Sequence, residues 1–232
     1  MIRITNIVTP SYEQWMAAIK GMRNPMNSWD KIDSKENTCD DISCENCIGI
    51  CTPITLGEND YDLMKRLTLA GTEHSKFLRM LPVMMDIEAP LYWWKEFDTY
   101  KVGTVANSCS TMHKITAKEF TLDDFSHEHL DVYALEILNN TIRALNTYRD
   151  LYVNYEANAF EIEGCPSKKD IWWQLIQLLP SSYNQKRTVF LSYAVLSNVY
   201  HQREGHKVDE WNILCDMIEK FPYSEFITKR FE

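Results

Sequence analysis

The chain has 232 residues, of which 45% are hydrophobic and 25% are charged, so it can bury a core as one large domain or two small ones. Its net charge of −9 argues against a general nucleic-acid-binding surface, which requires a basic face. No apolar run reaches the roughly 18 residues of a membrane span, and the N-terminal sequence lacks the apolar core of a signal peptide. These features predict a cytoplasmic protein with neither a nucleic acid nor a membrane as partner.

The first part of the chain contains a short strand, a helix and an irregular segment. Ile2 and Ile4 alternate with polar residues, which predicts a strand over 2–5. Trp15 and Ile19 lie at helical spacing, which predicts a helix over 11–22. The polar residues 24–43 predict a loop.

Four cysteines follow within 13 residues, namely Cys39, Cys44, Cys47 and Cys51. Their C-x4-C-x2-C-x3-C spacing is compatible with a four-thiolate site for zinc or an iron–sulfur cluster. The last spacing is too short for the plant-type ferredoxin pattern, so the preferred interpretation is a set of free thiols without a metal.

An amphipathic helix is predicted over 60–79, because Leu63, Leu67, Ala70, His74 and Phe77 recur at helical spacing. His74 would then lie on the apolar face of this helix. A histidine in that position is either a hydrogen-bonded core residue or a ligand contact.

After a predicted strand over 83–87, residues 91–114 change abruptly from aromatic to polar. Three aromatic residues near the start of the segment precede a dense run of hydroxyl, amide and cationic side chains. Such groups beside an apolar anchor are typical of the wall of a polar pocket, and suit a ligand with a phosphate and a polar ring. The alternative is an ordinary amphipathic helix followed by a Ser/Thr-rich connection.

The remaining half of the chain is predicted to be helical over 128–155, 167–179, 185–202 and 208–218. Ser167 is a suitable N-cap, and Gly205 separates the last two helices. Arg203 extends the apolar stripe of Val189, Tyr193, Leu196 and Tyr200 by one step. A cation there is either a charge at a helix end or a clamp for a ligand, and a ligand would be the group that covers it.

The order of these motifs resembles that of the flavin-dependent thymidylate synthases over roughly residues 60–220. The matching positions run from His74 through the segments 99–104 and 107–110 to the pair Leu179-Pro180, and end with Asn198, Arg203, His206 and Glu210. The spacing from Pro180 to Arg203, and from Asn198 to Arg203, is similar to that of the family.

The resemblance implies an α/β (α+β) single domain over residues 1–232, with a twisted, mainly antiparallel sheet flanked by helices and a helix-rich C-terminal half. It also implies a homotetramer with active sites shared between subunits. The implied reaction is reductive methylation of dUMP to dTMP, with FAD as cofactor, NADPH as reductant and methylenetetrahydrofolate as carbon donor.

Site residues are implied by position. The cofactor-binding residues would be His74, Tyr100, Lys101, Thr104, Asn107 and Asn198. Ser110 and Arg203 would be the catalytic residues that bind the pyrimidine nucleotide, with Arg203 at the uracil edge, where a guanidinium stabilises charge on a ring oxygen. No cysteine of the family serves as nucleophile, so Cys109 is expected to be dispensable.

This chain departs from the family motif at several cationic positions. Thr99, Tyr100 and Lys101 stand where the family has Arg-His-Arg, and Met112 and Ile176 replace two further arginines. Lysine is a point charge and lacks the planar fork of arginine, so these changes alter phosphate recognition. Two alternatives therefore stay open: another one-carbon or hydroxymethyl transfer to a pyrimidine nucleotide, and a non-catalytic nucleotide-binding homologue.

Overall fold

The computed structural model describes residues 1–37, 50, 52–158 and 166–231. The fold mixes helices with antiparallel sheets, which confirms the predicted fold class. All four clustered cysteines, Cys39, Cys44, Cys47 and Cys51, lie outside the described residues. The choice between a metal site and free thiols therefore stays a prediction.

The chain divides into two compact units. Unit 1 comprises Met1–Arg3, Glu88–Phe97 and Ser108–Arg187, and unit 2 comprises Ile4–Ile87, Asp98–Asn107 and Thr188–Glu232. The expected single domain over residues 1–232 stays a prediction. No helix in the described ranges is long and apolar enough to cross a membrane.

The strands of the described chain are β1 (Arg3–Val8), β2 (Lys35–Glu36), β3 (Ile54–Thr55), β4 (Pro82–Pro90), β5 (Val105–Ser108) and β6 (Asn184–Ser192). Strands β1, β4, β6 and β5 form one sheet in that order, and β2 pairs with β3 in an antiparallel ribbon. In β4, Val83, Met85, Ile87 and Ala89 are buried at every second position. This alternation confirms the strand predicted over 83–87, and β1 confirms the strand predicted near the N-terminus.

The helices of the described chain are α1 (Tyr12–Arg23), α2 (Glu58–Leu69), α3 (Leu91–Phe97), α4 (Thr111–Lys114), α5 (Val132–Val153), α6 (Tyr155–Asn158), α7 (Lys168–Leu178), α8 (Tyr193–Arg203), α9 (Asp209–Ile218) and α10 (Glu225–Thr228). Several begin where a side chain accepts a hydrogen bond from the first turn. Ser11 and Ser167 form capping boxes with Gln14 and Asp170, and the Asp131 side chain accepts from the Ala134 N–H. These caps fix the helix starts close to the predicted positions.

The predicted helix over 60–79 is wrong in its second half. Helix α2 ends at Leu69, Gly71 has a φ of +115°, and a 3-10 helix over Lys76–Met80 returns Phe77 to the core. A left-handed φ interrupts helical geometry, and glycine adopts it without strain. His74 consequently lies in an exposed turn and not on an apolar helix face.

The predicted helix over 185–202 is also wrong in its first half. Residues 184–192 form β6, which lies between β4 and β5, and the Ser192 side chain caps α8 at the Val195 N–H. Val189 and Leu191 are buried at strand spacing, so Val189 enters the core from a strand. Pairing with two neighbouring strands outweighs a helical pattern of apolar residues.

The segment 91–114 combines three short elements. Helix α3 buries Trp93, Trp94 and Phe97, whereas the residues of β5 are exposed throughout. The Trp94 indole N–H donates to the Gln185 carbonyl at 2.9 Å, and the Arg187 guanidinium lies 4.2 Å from the Trp94 ring centroid. The aromatic residues therefore anchor the segment, and its polar residues follow in a separate stretch.

Each unit has its own apolar core. In unit 1, helices α5 and α7 pack together, and the core contains Ile115, Phe120, Phe125, Leu138, Ile142, Leu145 and Leu175. In unit 2, the Trp15 ring lies edge-on to Tyr193 with 5.6 Å between centroids, and the Tyr193 hydroxyl donates to the Pro222 carbonyl at 2.7 Å.

A buried ion pair lies in unit 2. The Asp60 side chain is fully buried and accepts a 2.7 Å bond from Nε of Arg23. Its other oxygen accepts bonds of 3.1 and 3.0 Å from the backbone N–H groups of Asp33 and Ser34, and one of 2.6 Å from the Ser34 hydroxyl. Asp60 thus joins α1, α2 and the segment before β2.

Tyr200 gives a pH-dependent prediction. Its hydroxyl donates to Glu219 at 2.5 Å, and burial together with this bond raises the pKa of Tyr200 to about 12. In the unfolded chain the phenol ionises near pH 10. Between pH 10 and pH 12 the unfolded state therefore loses a proton that the folded state retains, and stability falls as the pH rises.

We expect this effect to remove on the order of 2 kcal/mol of unfolding free energy by pH 12. Urea denaturation at several pH values should show a smaller loss for Tyr200→Phe than for the wild-type protein. Tyr133→Phe is the control, because Tyr133 is 74% exposed and should retain the wild-type pH dependence. A Tyr200→Phe profile that matches the wild type would contradict the assignment.

Candidate functional site

A group of polar and aromatic side chains surrounds Arg203 in unit 2. Helix α8 ends at Arg203, and Gly205, with a φ of +66°, turns the chain towards α9. This turn confirms the predicted break at Gly205. It brings His206 and Trp211 of the following segment back to the half-buried Arg203 side chain.

The Arg203 guanidinium is covered by protein groups on several sides. Its Nε donates to the Tyr100 hydroxyl at 2.8 Å, and its Cζ lies 4.5 Å from the Trp211 ring centroid. One terminal nitrogen lies 3.2 Å from Nε2 of His206. The sequence-based expectation that a ligand alone would cover this charge is therefore wrong, because residues distant in sequence already contact it.

Hydrogen bonds extend from Tyr100 along α8. The Tyr100 hydroxyl donates to Oε1 of Gln202 at 3.1 Å, and Nε2 of Gln202 donates to Oδ1 of Asn198 at 2.8 Å. The Tyr100 and Trp211 rings are nearly edge-to-face, with 6.0 Å between centroids. We call the whole group the Arg203 cluster: Tyr100, Asn198, Gln202, Arg203, His206 and Trp211.

His206 has competing hydrogen-bond donors. Its Nδ1 lies 3.2 Å from the Val208 backbone N–H, and its Nε2 lies 3.2 Å from the Arg203 guanidinium. A neutral imidazole has only one unprotonated nitrogen, so it can accept from one of these donors at a time. The tautomer of His206 therefore decides which of the two donors it accepts from.

Other predicted site residues lie outside this cluster. Lys101 and Asn107 have exposed side chains, as does His74. Thr104 is half-buried, and its hydroxyl has no hydrogen-bond partner among the residues that the structure describes. Ser110 belongs to unit 1, where its hydroxyl accepts from the His113 N–H at 3.3 Å as the N-cap of α4.

Comparison with solved structures identifies the architecture. Two crystal structures of ThyX, the flavin-dependent thymidylate synthase of Helicobacter pylori, match with TM-scores of 0.57 and 0.60. Each is 15% identical to this chain in sequence. The first alignment covers 97% of this chain and 94% of the ThyX chain, and the second covers 98% and 100% respectively. The chain has a ThyX-like fold. Both ThyX structures contain FAD and dUMP. No protein-family model and no curated protein matches the sequence.

Within this ThyX-like fold, three of the eight predicted site residues come together. Tyr100, Asn198 and Arg203 are joined through hydrogen bonds, with Gln202 between Asn198 and Tyr100. The functional roles expected for all eight stay predictions. The structure adds Gln202 and Trp211, which the sequence analysis did not select for function. Trp211 lies on the apolar stripe of α9, and such a position gives no sign that its ring contacts a cation.

The described cysteines show no arrangement suited to nucleophilic catalysis. Cys215 is buried, and burial together with the nearby Asp216 raises the pKa of its thiol to about 11. Cys109 is exposed, and its backbone forms hydrogen bonds with Lys186 and Gln185. A reactive thiolate needs a depressed pKa, so Cys215 is an inert core residue.

Proposed function

We propose that this protein is a FAD-dependent thymidylate synthase-like enzyme that methylates dUMP reductively to dTMP. NADPH would be the reductant and methylenetetrahydrofolate the carbon donor. One observation carries the proposal. In a chain with a ThyX-like fold, the Arg203 guanidinium is held in place by the Tyr100 hydroxyl and the Trp211 ring.

Arg203 suits recognition of a pyrimidine edge. A guanidinium presents its N–H donors in a planar fork, and the ring of Trp211 limits its rotation. Fixed donors stabilise developing charge more effectively than mobile ones, because they do not reorganise during the reaction. We propose that Ser110 binds the pyrimidine nucleotide as a hydroxyl donor, because its oxygen accepts from His113 while its proton can be donated.

The available donors fit a flavin cofactor. Exposed Lys101 supplies a cation for a pyrophosphate, and exposed Asn107 supplies an amide. Asn198, a member of the Arg203 cluster, supplies a second amide. We propose that these residues bind FAD together with His74, Tyr100 and Thr104, at an interface between subunits of a homotetramer. The flavin, when bound, supplies the hydride. The protein residues position the nucleotide and polarise it.

Flavin binding is the first test. The purified protein should be yellow or should become so with FAD, and Asn198→Ala should weaken FAD binding about tenfold, as expected for one lost hydrogen bond at a ligand. Asn140→Ala is the control, because Asn140 is exposed on α5 in unit 1. Absorbance titration measures the affinity, and gel filtration measures the assembly. A stable monomer saturated with FAD would contradict the interface part of the proposal.

Cys109 gives a second test, aimed at the reaction type. Because the proposed reaction uses no protein thiolate, Cys109→Ala should change the turnover of dUMP by no more than a few-fold. The assay is dTMP formation with NADPH and methylenetetrahydrofolate. Complete loss of dTMP formation with FAD still bound would indicate a nucleophilic cysteine and overturn the assignment.

A second candidate is a ThyX-like protein that carries out an altered one-carbon or hydroxymethyl transfer to a pyrimidine nucleotide. The replacement of arginines in the family motif favours this candidate. Thr99 carries no charge, and Lys101 replaces an arginine fork with a point charge. FAD binding without conversion of dUMP would favour this candidate. Failure to bind FAD at all would favour a non-catalytic homologue. FAD-dependent rescue of a thymidine-requiring cell would support the first proposal over both.

A further inference from the structure

Gln202 connects a buried residue of the Arg203 cluster to an exposed one. Its Oε1 accepts a 3.1 Å hydrogen bond from the hydroxyl of Tyr100, a residue that is 7% exposed. Its Nε2 donates a 2.8 Å bond to Oδ1 of Asn198, one turn earlier on α8. Gln202 and Asn198 are both exposed, so the buried phenol is the fixed end of this chain of hydrogen bonds.

The direction of each bond in the chain follows from Arg203. A guanidinium has only donors, so the Tyr100 oxygen accepts from Nε of Arg203 and keeps its own proton to donate. Gln202 receives that proton at its carbonyl oxygen, which turns its NH2 group towards Asn198. The Asn198 oxygen is then engaged as an acceptor. Its NH2 group donates to none of the residues that the structure describes, and is the part of the amide left for a ligand.

This arrangement prepares Asn198 for binding. An exposed asparagine on a helix ordinarily moves between several orientations, and ordering it on a ligand costs conformational entropy. The bond from Gln202 restricts Asn198 before a ligand arrives, and hydrogen bonds in a chain strengthen one another. Because the Tyr100 ring is buried, its hydroxyl restrains Gln202 in the same way.

We propose that Gln202 is a positioning residue that fixes the Asn198 amide so that its N–H groups meet an acceptor on the bound cofactor. The inference rests on the proposed function, which assigns Asn198 to FAD. It adds the polarity of that contact and the residue that sets it. A flavin carries carbonyl oxygens and unprotonated ring nitrogens, so it can supply the acceptor, and Gln202 acts without touching the cofactor itself.

FAD titration of two Gln202 variants is the first test. Gln202→Met removes both hydrogen bonds at a similar side-chain length, whereas an ionised Gln202→Glu side chain still accepts from Tyr100 but cannot donate to Asn198. Each change should weaken FAD binding about fivefold, as for one weakened hydrogen bond at a ligand. The Met variant carries no charge, so an effect that both variants share comes from the lost donor.

A double-mutant cycle separates positioning from a general structural effect. In Asn198→Ala protein, Gln202→Met should cause no further loss of FAD affinity, because the residue that Gln202 orients is absent. Asn140→Leu is the control, because it breaks an exposed bond between Arg143 and Asn140 within a helix of unit 1, and it should bind FAD as the wild type does. Wild-type FAD affinity in Gln202→Met would overturn the proposal, and so would a loss that adds to that of Asn198→Ala.

Nuclear magnetic resonance of the ligand-free protein gives a readout that needs no flavin. The Nε2 protons of Gln202 should exchange with water more slowly in the wild type than in Asn198→Ala or Tyr100→Phe, because each change removes one end of the chain. If the protein binds no FAD, the cofactor contact fails with the proposed function, and slow exchange still upholds the positioning of Asn198 by Gln202. Equal exchange in all three proteins would overturn the positioning whether or not FAD binds.

Discussion

Replacing Arg203 by Ala is expected to weaken dUMP binding by on the order of 1–3 kcal/mol, as for a lost charge-assisted hydrogen bond. Arg203→Lys should lose a similar amount, because the ammonium group retains the charge but cannot reproduce a planar fork that bonds Tyr100 at 2.8 Å and lies over Trp211. FAD binding should be largely unaffected by either change.

The measurement is calorimetric titration of dUMP into the FAD-loaded protein and into its two Arg203 variants. Arg143→Ala is the control, because Arg143 is an exposed helical arginine of unit 1 whose guanidinium bonds Asn140. If the Arg203→Lys and Arg203→Ala proteins bind dUMP as tightly as their parent, Arg203 is only a charge at the end of α8. The assignment of the nucleotide site would then be wrong.

Replacing Asp60 by Ala is expected to lower the unfolding free energy by about 3–5 kcal/mol, the range for breaking a buried ion pair by removing one partner. The Arg23 side chain is buried, with the residue 2% exposed, so its charge would remain in the core without the carboxylate that accepts its 2.7 Å bond. The N–H groups of Asp33 and Ser34 would also lose their acceptor.

Urea denaturation measures this loss. Asp62→Ala is the matched control, because Asp62 lies on the same helix with an exposed side chain, and it should change the unfolding free energy by no more than about 0.5 kcal/mol. If Asp60→Ala and Asp62→Ala unfold at the same urea concentration with the same slope, the ion pair contributes no net stability.

Errors in the predicted elements share one cause. The helical spacing of Val189 and Tyr193 was genuine, but β6 ends between them, and both side chains are buried from different elements. Likewise Phe77 continues the apolar spacing of α2 from a separate 3-10 helix. A periodic pattern records which residues are buried, and two short elements can bury the same residues as one long helix.

The sequence by itself determined the features that depend on neighbouring residues, namely helix starts, a helix end and a strand. Ser11, Asp131 and Ser167 start helices through their own hydrogen bonds, Gly205 ends α8 through a left-handed φ, and β4 follows from its alternating apolar residues. These features involve residues only a few positions apart, so their energies can be read from a short window.

The tertiary structure alone decided the environment of the candidate site. Tyr100 and Arg203 are separated by 103 positions, yet they share a 2.8 Å hydrogen bond over the ring of Trp211. The sequence identified Tyr100 and Arg203 as candidates. Whether a guanidinium is covered by a phenol, an indole or a ligand depends on long-range packing, and no local pattern encodes that arrangement.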